Sequence, residues 1–224
     1  MMASAKGRVL NLLGRFALTD AEVVRVEPRG ASFVSIELQG PSSVAYAPGT
    51  KIQVVLPSQD VRTYTPIERG GGRVELLAFR HGTDTPAMRW LDGLAVGRSV
   101  RFKGPDRSLE LPADTRTFVG DETAIAVAAS YRHVRGPSLR VVFETTPGID
   151  ATEALEAVGL RDAVVVPRSD PTASALIDAV DTQARVGMAG GGAFLKRVRN
   201  ALRSRGASAF KVKAYWVAGR VGLD

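Results

Sequence analysis

Four successive residues in the segment 61–66 carry side chains that could form a ligand site: Arg62, Thr63, Tyr64 and Thr65. The segment predicts a strand, in which successive side chains alternate, so Arg62 and Tyr64 share one face and the two threonines share the other. A planar ligand that carries phosphate could lie against the Tyr64 ring and place its phosphate on Arg62. A surface arginine and a core tyrosine fit the same pattern, so both interpretations stay open.

The segment 81–87, His-Gly-Thr-Asp-Thr-Pro-Ala, leads into an apolar run with helical spacing. We expect Thr85 to be the N-cap of this helix and Pro86 its first residue. The free N–H groups and the positive dipole end of a helix start suit a pyrophosphate. His81 could act as a general base, but a lone histidine after a strand is more often structural. The apolar run consists of Ala87, Met88, Trp90, Leu91 and Leu94.

Two further turns each follow a predicted strand and open a predicted helix. In the first, Gly-Asp-Glu-Thr at 120–123, we expect Thr123 to be the N-cap. The second, at 187–192, lacks the spacing of the dinucleotide fingerprint. Its three successive glycines would let a ligand approach the backbone closely, although a flexible turn fits equally well. In parallel sheets, ligands bind beyond the carboxyl ends of the strands, where both turns are expected.

The elements that must position these residues change in kind along the chain. From residue 21 to residue 101, short alternating runs are broken by Gly, Pro and Ser, which predicts an antiparallel barrel. The helix that begins at Pro86 precedes the last strand of this barrel. The predicted strands cover residues 23–26, 33–38, 52–56, 62–67, 74–79 and 99–102.

Beyond a linker at residues 104–115, apolar runs alternate with helical stretches, which predicts a parallel sheet with crossover helices. We therefore expect a β domain at 21–108, an α/β domain at 109–224 and an amphipathic helix within residues 1–20. The predicted strands of the second domain are 116–119, 139–143, 163–166, 185–188 and 210–215, and its predicted helices are 123–133, 150–158, 172–180 and 193–205.

Composition excludes several kinds of chemistry. The chain has no cysteine, so disulfides, thiolate metal sites and cysteine-ligated iron–sulfur clusters are absent, and redox chemistry would need an organic cofactor. No apolar run approaches the length of a membrane span, and we expect a soluble, cytoplasmic protein. The net charge of +7 could indicate nucleic-acid binding. The basic cluster Lys196, Arg197, Arg199, Arg203 and Arg205 is more simply the solvated face of a helix.

Several of these motifs, in this order, resemble the siderophore-interacting proteins, a family of flavin-dependent ferric-siderophore reductases in the ferredoxin-NADP reductase superfamily. The resemblance spans roughly residues 20–220, and ordered spacing is more specific than any one motif. It rests on Arg-x-Tyr-Thr at 62–65, His-Gly at 81–82 with Pro-Ala at 86–87 and Trp90, Gly104-Pro105, Gly-Asp-Glu-Thr-Ala-Ile at 120–125, and Tyr215-Trp216.

The resemblance implies an FAD-binding barrel, a nucleotide-binding α/β domain, and NAD(P)H as the electron donor. The implied catalytic residues are Tyr64, Thr65 and Thr123, and no protein-held metal is expected. The implied cofactor-binding residues are Arg62, Thr63, Tyr64, Thr65, His81, Thr83, Thr85, Pro86, Ala87, Asp121, Thr123 and Trp216. For the ferric siderophore, the basic candidates are Lys51, Arg80, Arg168 and Arg220.

The sequence departs from the family pattern at two positions that bear on the donor and the substrate. Gly191 stands where an acidic residue is common, and Val217 stands where an arginine usually follows the tryptophan. Glu144 could bind an adenosine ribose and favour NADH, whereas Arg168 could hold the 2′-phosphate of NADPH. Alternative functions are a ferredoxin-linked flavin reductase, a non-catalytic siderophore- or flavin-binding module and, least favoured, a nucleic-acid binder.

Overall fold

The computed structural model describes residues 18–169 and 171–219. Most of the helix predicted within residues 1–20 lies outside these ranges, as does Arg220. Thr19 and Asp20, the last two residues of that predicted segment, already belong to the first strand. Among the described residues, no helix combines the length and the apolar character that crossing a membrane requires.

Seven strands in the described part of the chain form an antiparallel, barrel-like sheet, as predicted. The sheet is not closed, because β4 and β5 lie at the two ends of the order β4-β3-β7-β1-β2-β6-β5. The strands are β1 (Thr19–Arg29), β2 (Phe33–Gln39), β3 (Thr50–Val55), β4 (Val61–Tyr64), β5 (Ile67–Gly70), β6 (Arg73–Phe79) and β7 (Ser99–Arg107).

Two predictions about this sheet were wrong, and both involve proline. The strand predicted at 62–67 is split into β4 and β5 at Thr65-Pro66, because proline has no N–H with which to continue a ladder. The linker predicted to begin at Gly104-Pro105 instead starts after Arg107. The pairing of β3 with β7 is irregular at Gly104-Pro105, and proline is tolerated at such an irregularity.

Between β6 and β7 lies helix α1 (Pro86–Asp92), which begins as predicted. The Thr85 side chain accepts a hydrogen bond from the backbone N–H of Met88 at 3.4 Å, and Pro86 occupies the first turn. Ala87, Met88 and Leu91 are buried against the inside of the first sheet. This packing holds segment 81–85 beside the sheet.

The second half of the described chain is the predicted parallel sheet, in the order β10-β9-β8-β11-β12. Its central strands are almost entirely buried, as expected when helices cover both faces. The strands are β8 (Thr115–Asp121), β9 (Arg140–Thr145), β10 (Val164–Pro167), β11 (Arg185–Gly191) and β12 (Phe210–Trp216). The helices are α2 (Ile125–Arg135), α3 (Thr152–Ala157), α4 (Ser174–Asp178) and α5 (Gly192–Ser204), with 3-10 turns at Glu122–Ala124 and Gly136–Ser138.

The two sheets are joined by a shared hydrophobic core. This core combines Phe33, Ile67 and Leu77 of the first sheet with residues of α2, α3 and their strands. Polar contacts reinforce the junction, since the buried hydroxyl of Tyr131 donates to the carbonyl of Leu109 at 2.5 Å and accepts from the N–H of Leu111 at 2.9 Å. Segment 108–114, which links the two sheets, is therefore held by α2.

Candidate functional site

Arg62 lies on the edge strand β4, opposite Val54 of β3. Its guanidinium donates a hydrogen bond to the backbone carbonyl of Val61 at 2.9 Å, and it forms no ion pair with any described residue. The charge of this half-buried side chain is therefore not neutralised by a carboxylate. A guanidinium in this state can bind two oxygens of a phosphate.

The ring of Tyr64 packs on the core of the first sheet and against Trp90 of α1, with ring centroids 6.0 Å apart and planes inclined by 43°. Burial raises the pKa of the Tyr64 hydroxyl to about 12, although the nearby charge of Arg62 acts to lower it. Tyr64 is thus a packing residue in this structure. A further role beside a cofactor ring stays a prediction.

The two threonines around Tyr64 differ in exposure. Thr63 is exposed on β4, whereas Thr65 follows the end of the strand and is half-buried beside Pro66. The Thr65 side chain interacts with the hydroxyl of Tyr215 on β12, so it lies beside the second sheet.

Segment 81–85 lies at the surface, and its polar side chains bind one another or the neighbouring helix α1. His81 Nδ1 lies 2.7 Å from Thr83 Oγ1, and the Asp84 carboxylate pairs with Arg89 at 2.5 Å. An open cavity of about 490 Å³ beside it is lined by Gly82, Thr83, Asp84 and Met88, together with Arg80 and Asp92, which are 2.6 Å apart. The cavity is therefore nearly neutral, which is less favourable for a pyrophosphate than the sequence predicted.

The turn after β8 is held by a buried carboxylate. Asp121, which is fully buried, accepts hydrogen bonds from the N–H of Thr123 at 3.0 Å, the hydroxyl of Thr123 at 2.5 Å and the N–H of Gly191 at 2.7 Å. The cap of this turn is thus Asp121, and the predicted N-cap, Thr123, was wrong because Thr123 already lies within the 3-10 turn and its N–H is bound by the Asp121 carboxylate. Burial raises the pKa of Asp121 despite these three hydrogen bonds.

The glycine turn at residues 190–192, where β11 ends and α5 begins, uses glycine for a reason that the sequence did not reveal. A Cβ atom on Gly191 would lie 2.5 Å from the ring of Trp216, and one on Gly190 would lie 2.6 Å from the Asp121 carboxylate. Trp216 is 43% exposed, so its ring covers this turn and also faces solvent. In this structure the Trp216 ring occupies the space that the acidic residue common at position 191 in the resembling family would need.

A four-residue ionic cluster, Glu122, Glu144, Arg168 and Arg197, lies at the carboxyl ends of the parallel strands. The buried Glu144 pairs with Arg168 Nε at 2.9 Å and with the guanidinium of Arg197. Arg168 also lies 3.6 Å from Glu122 and donates to Thr146 Oγ1 at 3.2 Å. Glu144 is therefore engaged within the protein, and the prediction that Arg197 lies on a purely solvated helix face was wrong.

The basic residues expected to bind a siderophore are distributed over different elements. Arg80 pairs with Asp92 beside α1, and Arg168 belongs to the ionic cluster of the second sheet. Lys51 is on β3, where it lies opposite Asp106 of β7, and Arg220 lies outside the described residues. Lys51, Arg80 and Arg168 thus lie on three different parts of the fold, and a shared substrate site stays a prediction.

No protein-family model matches the sequence, and no curated protein matches it. Comparison with solved structures does give matches. The siderophore-interacting protein from Acinetobacter baumannii aligns with a TM-score of 0.70 and 17% identity over 92% of both chains. The siderophore-interacting protein SipS from Aeromonas hydrophila aligns with a TM-score of 0.67 and 19% identity over 90% of this chain and 98% of its own.

A third match has a different role. Phthalate dioxygenase reductase, described as a modular structure for electron transfer from pyridine nucleotides to [2Fe-2S], aligns with a TM-score of 0.70 and 17% identity. The match covers 91% of this chain and 70% of the reductase. At these identities the comparisons show the fold: a barrel-like antiparallel sheet followed by a parallel α/β sheet, as in the two-domain ferredoxin reductase-like proteins. The fold expected from the resemblance is confirmed.

Proposed function

We propose that this chain is an FAD-dependent reductase that passes electrons to a ferric siderophore. The observation that carries the proposal is the guanidinium of Arg62, which no described carboxylate neutralises, beside Tyr64 and Thr65. A cation in this state fits the pyrophosphate of FAD, and the fold is one that also occurs in the siderophore-interacting proteins and in an electron-transfer reductase.

In this proposal, Arg62 binds the cofactor phosphate and the end of β4 orients the ring. Thr65 presents its hydroxyl and backbone to the ring from the junction between the sheets, and Tyr64 supports it from the core. Thr123 lies at the turn after β8, where its hydroxyl is fixed by Asp121 at 2.5 Å. The Trp216 ring lies over the adjacent glycine turn. Bound FAD would supply the chemistry of accepting electrons as a pair and releasing them one at a time, which iron(III) requires.

The proposed substrate class is supported by the charge of the chain and by the siderophore-interacting proteins among its structural matches. The net charge of +7 favours the approach of anionic chelates, and Lys51, Arg80, Arg168 and Arg220 remain the basic candidates for holding one. Hard oxygen ligands hold iron(III) more strongly than iron(II), so reduction would release the metal. On this proposal the protein acts in the cytoplasm, where the freed iron would be used.

The electron donor separates two versions of the proposal. NADH or NADPH would bind at the carboxyl ends of the parallel strands, where Glu144 and Gly191 lie. In this structure, however, Glu144 is paired with two arginines and Trp216 lies against Gly191. These contacts favour the second candidate function, a ferredoxin-linked flavin reductase, because a protein donor need not enter either position.

The test is a sequence of visible spectra of the purified protein reconstituted with FAD, recorded without oxygen. Bleaching of a bound-flavin spectrum by NADH or NADPH, with recovery on adding a ferric siderophore, would support the pyridine-nucleotide version. Bleaching only by reduced ferredoxin would support the ferredoxin-linked version. A bound flavin that no ferric chelate reoxidises would contradict siderophore reduction, and failure to bind flavin would favour the non-catalytic module.

A further inference from the structure

The last strand of the second sheet has an irregularity at Tyr215. Along β11 and β12, Gly190 lies opposite Ala214 and Gly191 lies opposite Trp216, so Tyr215 has no partner in the ladder. An extra residue of this kind bends the strand and re-aims a side chain, and such bulges are over-represented next to active sites. The bulge lies at the end of β12, adjacent to the glycine turn.

The bulge residue packs on the opposite side of the sheet from its neighbours in the strand. Phe210, Val212 and Ala214 pack in the core under α5. Tyr215 packs instead against the core shared by the two sheets, which contains Ile67 of β5. Ile67 is two residues beyond Thr65, so Tyr215 and the segment that follows β4 border the same core.

The hydroxyl of Tyr215 is buried and has no hydrogen-bond partner among residues 18–169 and 171–219. Burial raises the pKa of this hydroxyl, and a hydrogen-bonding interaction with the adjacent Thr65 side chain opposes that increase, although its geometry falls short of a regular hydrogen bond. Buried hydroxyls almost always have a partner, because one without a partner is unfavourable. Thr65 is therefore adjacent to a donor that lacks a well-formed hydrogen bond.

We propose that Tyr215 is a positioning residue for Thr65: its hydroxyl donates a hydrogen bond to Thr65 Oγ1 once the flavin is bound, so that the Thr65 hydroxyl is directed at the cofactor. The inference rests on the proposed function, because it requires a flavin at the junction of the sheets. Thr65 Oγ1 has two lone pairs and one proton, so it can accept from Tyr215 and donate to the cofactor at the same time.

The test uses two tyrosines that undergo the same chemical change. Tyr46, like Tyr215, has a buried hydroxyl without a described partner, but it lies in the core of the first sheet. Variants Tyr215→Phe, Tyr46→Phe, Thr65→Val and the double variant Tyr215→Phe/Thr65→Val are titrated with FAD, with the flavin absorption band and fluorescence as readouts. Melting temperatures without FAD show that each variant is folded.

We expect Tyr215→Phe and Thr65→Val each to weaken FAD binding about fivefold and to shift the band of the bound flavin. The double variant should bind FAD as tightly as the single variant with the lower affinity, because both substitutions interrupt the same chain of hydrogen bonds. Tyr46→Phe should bind FAD with unchanged affinity and an unchanged band. Neither Tyr→Phe substitution should lower the melting temperature without FAD, since each removes an unpaired hydroxyl.

Three results would overturn the inference. If Tyr215→Phe binds FAD with the affinity and band of the unaltered protein, Tyr215 does not position Thr65. If the losses from Tyr215→Phe and Thr65→Val add in the double variant, the two residues act independently. If the unaltered protein binds no FAD, the proposed function fails and the role of Tyr215 fails with it, and this result is distinguished by the first titration alone.

Discussion

Two arginines at comparable positions, Arg62 at the edge of the first sheet and Arg168 beyond the second sheet, are in opposite electrostatic states. The guanidinium of Arg62 contacts a backbone carbonyl and no described carboxylate. The guanidinium of Arg168 lies 2.9 Å from the buried Glu144 and 3.6 Å from Glu122. Both were expected to bind anionic groups of ligands, but only Arg62 has an uncompensated charge available for one.

The difference shows how the same residue type can serve binding in one place and stability in another. An arginine paired with a buried carboxylate must lose that partner before it can bind an anion, and the carboxylate left behind is then buried without compensation. An arginine without a carboxylate has no such penalty. The first sheet therefore has an arginine whose charge no described carboxylate compensates, whereas the corresponding arginine of the second sheet is engaged by the chain's own carboxylates.

The largest effect that would test this comparison is loss of the buried carboxylate. Glu144→Gln removes the charge that compensates Arg168 and Arg197, and we expect the free energy of unfolding to fall by about 3–5 kcal/mol. Urea unfolding measures this change. The matched control is Glu110→Gln, because Glu110 pairs with Arg107 at 3.2 Å with both side chains mostly exposed. Its effect should be within about 0.5 kcal/mol.

One outcome would contradict the assignment of the ionic cluster as a structural feature. If Glu144→Gln is as stable as Glu110→Gln but raises the KM for a pyridine nucleotide, Glu144 leaves its arginines to bind the ribose. The region at the ends of the parallel strands would then be a donor site rather than a structural cluster.

The second effect concerns Arg62 itself. Removing a charged hydrogen-bond donor to a phosphate costs about 1.5–3 kcal/mol, so Arg62→Gln should weaken FAD binding about 10- to 150-fold. The free energy of unfolding should change little, because no described carboxylate loses a partner. Flavin fluorescence titration and urea unfolding measure the two quantities. Arg116→Gln, on an exposed residue near the start of β8, is the control and should leave FAD affinity unchanged.

If Arg62→Gln is strongly destabilising and still binds FAD normally, Arg62 is a structural residue like Arg168. The contrast between the two sheets would then disappear, and the proposed cofactor site would lose its main support.

The sequence predicted the elements well where local signals were strong. Thr85-Pro86 marked the start of α1 correctly, and the alternation of apolar runs with helical stretches predicted the parallel sheet. Residue types at 62–65 also identified the segment whose arginine lacks a carboxylate partner. Local signals failed at Pro66, which divided a predicted strand, and at Thr123, where Asp121 two residues earlier is the cap.

The features that could not be predicted depend on contacts between distant residues. Glu144 and Arg197 are 53 positions apart, and only the fold brings the end of β9 next to α5. The same is true of Gly191 and Trp216, which lie opposite each other on β11 and β12. A sequence motif shows that Gly191 departs from the family pattern, but only the structure shows that the Trp216 ring occupies the space.

A smaller effect tests whether the Trp216 ring occupies the space beside Gly191 in the glycine turn of the second sheet. Gly191→Ala would place a Cβ 2.5 Å from the Trp216 ring, and because that ring is 43% exposed it can move outward. We expect a loss of about 1 kcal/mol, at the low end for overpacking, and a red shift of tryptophan emission. In a Trp216→Ala background the same substitution should have almost no effect on stability. Equal losses in both backgrounds would show that the backbone, rather than Trp216, requires glycine.

The smallest effect uses Tyr64 as a reporter of the charge on Arg62. Burial raises the pKa of Tyr64 to about 12 and Arg62 lowers it, so Arg62→Gln should raise this pKa further, by less than about one pH unit. The pKa of an unfolded tyrosine is about 10, so the stability that Tyr64 contributes is fully present below pH 10 and is lost as the pH rises through 12. Tyr64→Phe should lack this component of alkaline unfolding. Absorbance of the phenolate against pH measures the shift, with Tyr64→Phe identifying the signal.

Because a bound phosphate would also neutralise Arg62, FAD should raise the pKa of Tyr64 in the unaltered protein but not in Arg62→Gln. An equal response to FAD in both proteins would mean that the phosphate binds elsewhere, and that the first sheet's uncompensated arginine is not the cofactor anchor.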